Sequence, residues 1–204
     1  MDRFEQRKLT RARLIDGALK LFSANGYDHA TIDDISQEAG YSKGAYYFHF
    51  STKEDILLEL LRRWSDDRAS GLAAVAGSDG ARDLRATLVA LFSYEREPRW
   101  PGMLLEFWAQ SMRNDEVRKR LAQVYGAWRQ ELASAFAHEA KSGALHVESA
   151  DEAAGVALAS HDGYVVQLAI GSPSGKLMTP AQLAAALLSP LEAAPAGKRR
   201  AAAV

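Results

Sequence analysis

From Arg7 to Asn25 the apolar residues Leu14, Ile15, Ala18, Leu21 and Phe22 stand three and four positions apart, which gathers them on one side of an α-helix. Gly26, able to take a positive φ, supplies the left-handed stop. The pattern restarts at Ile32, Ile35 and Ala39 as a short second helix, opened by a capping box of Thr31 with Asp34 and closed at Gly40. Ser42 is placed to cap a third short helix at once. Ser51 with Glu54 predicts another box, opening a long helix through Ile56, Leu57, Leu60, Leu61 and Trp64.

Further on, Gly71 and the small polar stretch 76–80 predict a break. A helix follows over about 82–94, and Pro98 and Pro101 separate it from one over 103–113. Asn114 restarts a long helix that runs to Ser142 and Gly143, and Ser149 with Glu152 opens another to Ile170. After a turn at 172–175, Thr179, Pro180 and Gln182 combine a cap, a first-turn proline and a box, and Pro190 stops this last helix. Alanine and leucine dominate and alternating β-branched runs are scarce, so the fold class is all-α, with about nine helices. The organisation predicted is a three-helix unit over 1–50, a larger helical domain over 51–192 and a disordered tail over 193–204.

Composition narrows the picture in one respect and leaves it open in another. At 204 residues and 48% apolar content the chain has enough for a core, and without cysteine it has neither disulfides nor thiolate metal sites. No signal-like leader and no long uncharged apolar run is present, so a soluble, cytoplasmic protein with no membrane partner is expected. The 25 basic and 26 acidic residues nearly cancel, so any affinity for nucleic acid must come from a local excess. Residues 3–13 provide one: Arg3, Arg7, Lys8, Arg11 and Arg13 against the single acid Glu5. A solvated helix start is the other reading of that stripe.

Two short helices joined through a glycine turn form a helix-turn-helix, whose second helix can enter a DNA major groove. In Y41-S-K-G-A-Y-Y-F-H-F50, Lys43, Gly44 and Tyr47 share one helical face, while Tyr46 and Phe50 turn towards the first helix. Lys43 can donate to guanine, Gly44 admits close backbone approach, and Tyr47 reaches a base edge or a phosphate. Thr31, His49 and Lys53 are candidate phosphate donors that would set register on the duplex.

These blocks, A18-L-K-L-F-S-A-N-G-Y27, T31-I-D-D-I-S-Q-E-A-G40 and Y41-S-K-G-A-Y-Y-F-H-F-S-T-K-E-D55, resemble the tetracycline-repressor (TetR) family of bacterial transcriptional regulators. The likeness is dense over about a quarter of the chain. It implies a homodimer that binds a palindromic double-stranded operator and is released when a small-molecule effector enters the C-terminal domain, helix 4 swinging as it does so. The matching DNA-facing positions are Thr31, Ser42, Lys43, Gly44, Tyr47, His49 and Lys53. Three residues depart from the family pattern. Ser36 stands where alanine is usual, Tyr46 where leucine or isoleucine is, and Phe48 where a phosphate-donating tyrosine or arginine often sits.

Farther along, Trp100, Met103, Leu104, Phe107 and Trp108 crowd the region after Pro98, and Trp128 follows on the next helix. Each serves either a bundle core or an apolar effector pocket, in which Gln110, Ser111, His161 and Tyr164 would be polar contributors. Such a lining suits an apolar or aromatic effector. The segment 153–170 is rich in small residues that let another helix come close. The resemblance assigns it and the last helix to the dimer surface, through Ala153, Ala157, His161, Val165, Leu168, Leu183 and Leu187; an intramolecular core is the alternative. Catalytic patterns fail: His138, Glu139, His146, His161 and Asp162 form no H-E-x-x-H, and no G-x-S-x-G, phosphate loop or dinucleotide fingerprint occurs. No enzyme, cofactor or metal is expected, and the competing function is a helical ligand-binding dimer that does not bind DNA.

Overall fold

The computed structural model describes residues 2–73, 83–94, 98–171 and 176–192, with the backbone alone at 72 and 73. Among the described residues the chain forms α1 (Arg3–Asn25), α2 (Ile32–Glu38), α3 (Lys43–His49), α4 (Lys53–Ala73), α5 (Leu84–Phe92), α6 (Trp100–Ser111), α7 (Asp115–Ser142), α8 (Ala150–Ile170) and α9 (Pro180–Leu188), with no strand. The all-α reading is borne out. The stretch at 76–80, residue 82, the turn at 172–175 and the tail at 193–204 lie outside the described residues.

Capping chemistry explains most boundaries. Thr31 accepts from Asp34 N while Asp34 accepts from Thr31 N, and Thr179 and Gln182 repeat the reciprocal pair on α9. Ser42 caps α3, Asp83 caps α5, and Asn114 accepts from Val117 N at the start of α7. Helix α4 corrects one expectation. Its cap is Thr52, whose hydroxyl accepts from Asp55 N at 3.1 Å while the Asp55 carboxylate accepts from Thr52 N at 2.9 Å, so the box lies one residue beyond Ser51. Gly71 does not interrupt α4, and Pro101 sits in the first turn of α6 rather than before it, where its missing N–H would have had no helical partner. Helix α1 starts at Arg3, so the basic stripe is helical and not an extended arm.

Contacts divide the chain into two compact units. The first holds the residues up to Ser70, Tyr94–Tyr125 and Val165–Gly171; the second holds Gly71–Ser93, Gly126–Tyr164 and the chain from Ser172 on. In the first, α1 packs on α2, α3 and α6 around buried Leu14, Leu19, Phe22, Ile35 and Tyr46. Trp64 of α4 meets Phe107 of α6 at 6.1 Å between ring centroids. Helix α6 is seated on α1 through Gly102, where a Cβ would come within 2.9 Å of the Ser23 carbonyl oxygen. In the second, α5 packs on α9 through buried Leu88, Phe92, Ala184 and Leu188, and Arg129 grips the Asp151 carboxylate with two hydrogen bonds of 2.7 Å. No helix among the described residues is long and apolar enough to cross a membrane.

Candidate functional site

The turn between α2 and α3 is built by Gly40, whose φ of 76° only glycine takes without strain, and by Tyr41 N donating to the Ser36 carbonyl at 2.9 Å. Ser36 is itself buried and donates to the Ile32 carbonyl, so a hydroxyl in place of a methyl leaves the packing intact. Helix α3 then sorts its side chains. Tyr46 is fully buried, with its hydroxyl donating to the Thr52 carbonyl at 2.9 Å and its ring 5.7 Å from that of Phe50. Burial pushes the Tyr46 phenol up, so it stays neutral. Ser42, Lys43, Gly44 and Tyr47 all lie exposed on the outer side. A Cβ on Gly44 would meet only Ser42 Oγ, at 3.7 Å, so nothing inside the chain demands a glycine there.

The cations around this helix differ sharply in what they already hold. Lys43 pairs with Asp33 at 3.0 Å, an exposed pair that a stronger anion can displace. Thr31 has both its donors on the Asp34 carboxylate, at 2.9 and 2.6 Å, so the cap occupies the groups expected to reach a phosphate. Lys53 requires a correction. Its half-buried ammonium lies over the Tyr27 ring at 4.2 Å and donates to the Tyr27 and Ala30 carbonyls at 2.7 and 2.9 Å, so its donors already tie down the α1–α2 turn. Burial lowers the Lys53 pKa, and the Tyr27 phenol beneath it is pushed up to about 12 by burial, then by Glu54 and Asp28. His49 is half-buried and its pKa is lowered, first by burial and then by Arg7 and Arg11. Arg11 bonds Glu59 at 2.9 Å, while Arg7 lies over the Phe48 ring at 4.9 Å.

Sequence reasoning missed a set of polar ties from α6 to the α1–α2 turn. Glu106 accepts from Tyr27 N at 2.8 Å, and Asp28 accepts from Gln110 and Arg113 at 3.3 Å each, beside a hollow of about 470 Å³. Their partners are some eighty positions away, and no local pattern announces them.

The expected effector set divides between the units. In the first, Trp100, Met103, Leu104 and Phe107 are buried on α6, Trp108 donates to the Tyr125 hydroxyl at 3.0 Å, and Ser111 donates to the Trp108 carbonyl. In the second, fully buried His161 stands 5.7 Å from Trp128 and 6.5 Å from Phe92, and Phe92 meets Tyr164 edge-on at 5.9 Å. His161 Nδ1 lies 3.0 Å from an Asp162 carboxylate oxygen, and the Tyr164 hydroxyl donates to the Met178 carbonyl. Phe92 is the member of this aromatic group that the sequence reading left out.

The expected dimer set is corrected as well. Ala157, His161 and Val165 are buried inside one chain, because α8 turns that stripe inward, and they present nothing to a second copy. The outward stripe holds Val156, Ala159, Gly163, Val166 and Ile170, all exposed. Ala153, Leu168, Leu183 and Leu187 are half-buried. Among the described residues no group of three or more histidines and carboxylates is placed to hold a metal ion.

A capped, glycine-turned helix pair that shows lysine, glycine and tyrosine on one open face, among described residues that form helices and no strand, has the build of a DNA-binding helix-turn-helix. Residues 14–60 match the profile of the bacterial regulatory proteins of the tetR family, and residues 80–194 match the BetI-type transcriptional repressor C-terminal domain. The chain belongs to the TetR family, whose members are regulators and not enzymes. It is 30% identical over 128 residues to the HTH-type transcriptional regulator BetI of Agrobacterium fabrum, covering 61% of this chain and 62% of that one. To the HTH-type transcriptional repressor KstR2 of Rhodococcus jostii it is 32% identical over 126 residues, covering 62% and 59%. In each of these curated relatives the match spans less than two thirds of the protein. A solved structure from Saccharomonospora viridis, described as a candidate transcriptional regulator in complex with choline, is 27% identical with a TM-score of 0.73 over 87% of this chain and 92% of that one. A TetR regulator from Haloarcula marismortui, 21% identical with a TM-score of 0.78 over 90% and 98%, shares the fold.

Proposed function

We propose that this chain acts in the cytoplasm as a homodimer that represses transcription from a palindromic operator and lets go when a small effector binds. The observation that carries the reading is the sorting of α3: Tyr46 and Phe50 buried, Lys43, Gly44 and Tyr47 exposed together. Ser42, at the α3 cap, and half-buried His49 are assigned to the phosphates. Two such helices related by a twofold axis must stand roughly 34 Å apart to enter successive major grooves, and an effector that favours another spacing weakens the complex. Selection from a random duplex pool over a salt series tests the reading. It should enrich a palindrome with a steep salt dependence, and a pool that yields no selected sequence would favour the ligand-binding alternative. Linkage adds a second requirement: operator must weaken effector binding by the factor by which effector weakens operator binding.

The dimer surface in this reading is the outward stripe of α8, with Val156, Ala159 and Gly163, together with the half-buried Leu183 and Leu187 of α9. Small residues there let two α8 helices approach closely.

For the effector, the cluster of Phe92, Trp128, Tyr164 and His161 with Asp162 favours a small organic cation over a purely apolar molecule. Aromatic faces attract quaternary ammonium groups, and a carboxylate beside them complements the charge. The choline in the Saccharomonospora viridis structure supports the same class. Titration with choline and with its neutral carbon isostere 3,3-dimethylbutanol decides: the cation should bind the better, and Trp128→Leu should erase the preference. Equal affinity for the two would return the effector to the apolar class.

A further inference from the structure

The start of α1 and the end of α3 enclose an open groove of about 540 Å³ that the base-facing set does not use. Arg3, Phe4, Arg7, Phe48 and His49 line it, and none of its lining residues is acidic. Two of them are large apolar side chains left to solvent, Phe48 at 65% and Phe4 at 59% exposure. The neighbouring cations are engaged elsewhere: Lys43 with Asp33, Arg11 with Glu59 and Lys53 with the turn carbonyls. Arg7 differs. Among the described residues no ion pair holds it, and its guanidinium sits 4.9 Å over the Phe48 ring.

Stacking occupies the flat face of a guanidinium and leaves its N–H groups free around the edge, where they match a phosphate in pairs. The ring also holds a long, flexible side chain in one place, so less conformational freedom is lost when the anion arrives. Resting on the DNA-binding reading, we propose that Phe48 is a positioning residue that presents Arg7 to a phosphate of the duplex backbone. His49, whose ring lies 5.1 Å from that of Phe48, has its pKa lowered by burial and by Arg7 and Arg11, so Arg7 and Arg3 supply the permanent charge of the groove. The occupant is the backbone of the same duplex whose bases face Lys43 and Tyr47: an acid-free, cationic groove between the start of α1 and the end of α3, next to Tyr47, fits a polyanion.

The test uses the full chain and the duplex enriched from the random pool, with log affinity followed against log salt concentration. Arg7→Gln should lower the slope by about 0.9 per bound chain, as one lost phosphate contact does. Phe48→Leu should weaken binding about two- to fivefold at low salt, Phe48→Trp should restore it, and Phe48→Leu should cost nothing more once Arg7→Gln is present. Scanning the duplex with neutral methylphosphonates placed in symmetry-related pairs should find one pair of positions where wild type and Arg7→Gln bind alike. An unchanged slope for Arg7→Gln, or losses at 7 and 48 that simply add, would overturn the proposal while leaving the DNA reading standing. A wild-type chain that selects no duplex would remove that reading itself. Thermal melting of each variant checks the fold, and Arg7→Gln, at an exposed position, carries the test if Phe48→Leu unfolds.

Discussion

Lys53 and Lys43 are both lysines beside the same short helix, yet the fold uses them in opposite ways. Lys43 meets one exposed carboxylate, and hydration competes with that pair at little net cost. Lys53 meets the Tyr27 and Ala30 backbone carbonyls in a half-buried turn, and removing its ammonium takes away a charged donor that both accept from. Lys53→Met should therefore destabilise the chain by about 1–3 kcal/mol in urea unfolding while leaving the operator affinity of the folded fraction unchanged. If that variant melts like wild type and binds every duplex more weakly, Lys53 is a phosphate contact after all.

Where each helix begins was largely legible, because a cap and its partner lie within three residues of each other. Thr31 with Asp34, Ser42, and Thr179 with Gln182 were read correctly for that reason. At α4 two adjacent hydroxyls each have an acid three positions on, Glu54 after Ser51 and Asp55 after Thr52, and only the backbone geometry chooses between them. Thr52→Ala should cost about 1 kcal/mol and Ser51→Ala much less, as measured by the shift in melting temperature. What was not legible has distant partners, as with Lys53 and Glu106, or lacks a polar face. Helix α8 scatters its few polar residues, among them Ser160, Asp162 and Gln167, without one polar face, so its small residues could not reveal that Ala157 and His161 point inward and Val156 outward. Helices α1 and α4 are tied through Glu59, which accepts from Arg11 and Arg62. Burial raises its pKa, yet the hydrogen bonds from the two arginines and their charges outweigh it and bring the group down to about 2 from 4.5. A depressed carboxyl stabilises fully above its ordinary value, so this contribution should persist at neutral pH and fade as the pH drops from 4.5 towards 2. Glu59→Gln should flatten that acid limb in a series of melting curves.

The proposed dimer would depend on a surface that the fold of the single chain leaves uncovered. Val156 is 59% exposed in the single chain, more than a valine beside Ala159 and Gly163 on a helix this apolar needs to be. Val156→Glu should leave the monomer folded and shift sedimentation velocity towards a single chain, with operator affinity falling in parallel because paired recognition helices are lost. A variant that still sediments as wild type would place the dimer surface elsewhere.

Gly102 has one more consequence, and it concerns inheritance. Every missense change at a glycine codon adds a Cβ, and here that atom would lie 2.9 Å from a carbonyl oxygen of α1, a backbone atom that cannot swing aside. At Gly71, Gly126 and Gly163 the added carbon meets open space within the chain. In a library of random point mutants selected for function, position 102 should stay glycine while 71 and 126 drift. A residue without a side chain thus becomes one of the least replaceable positions in the gene.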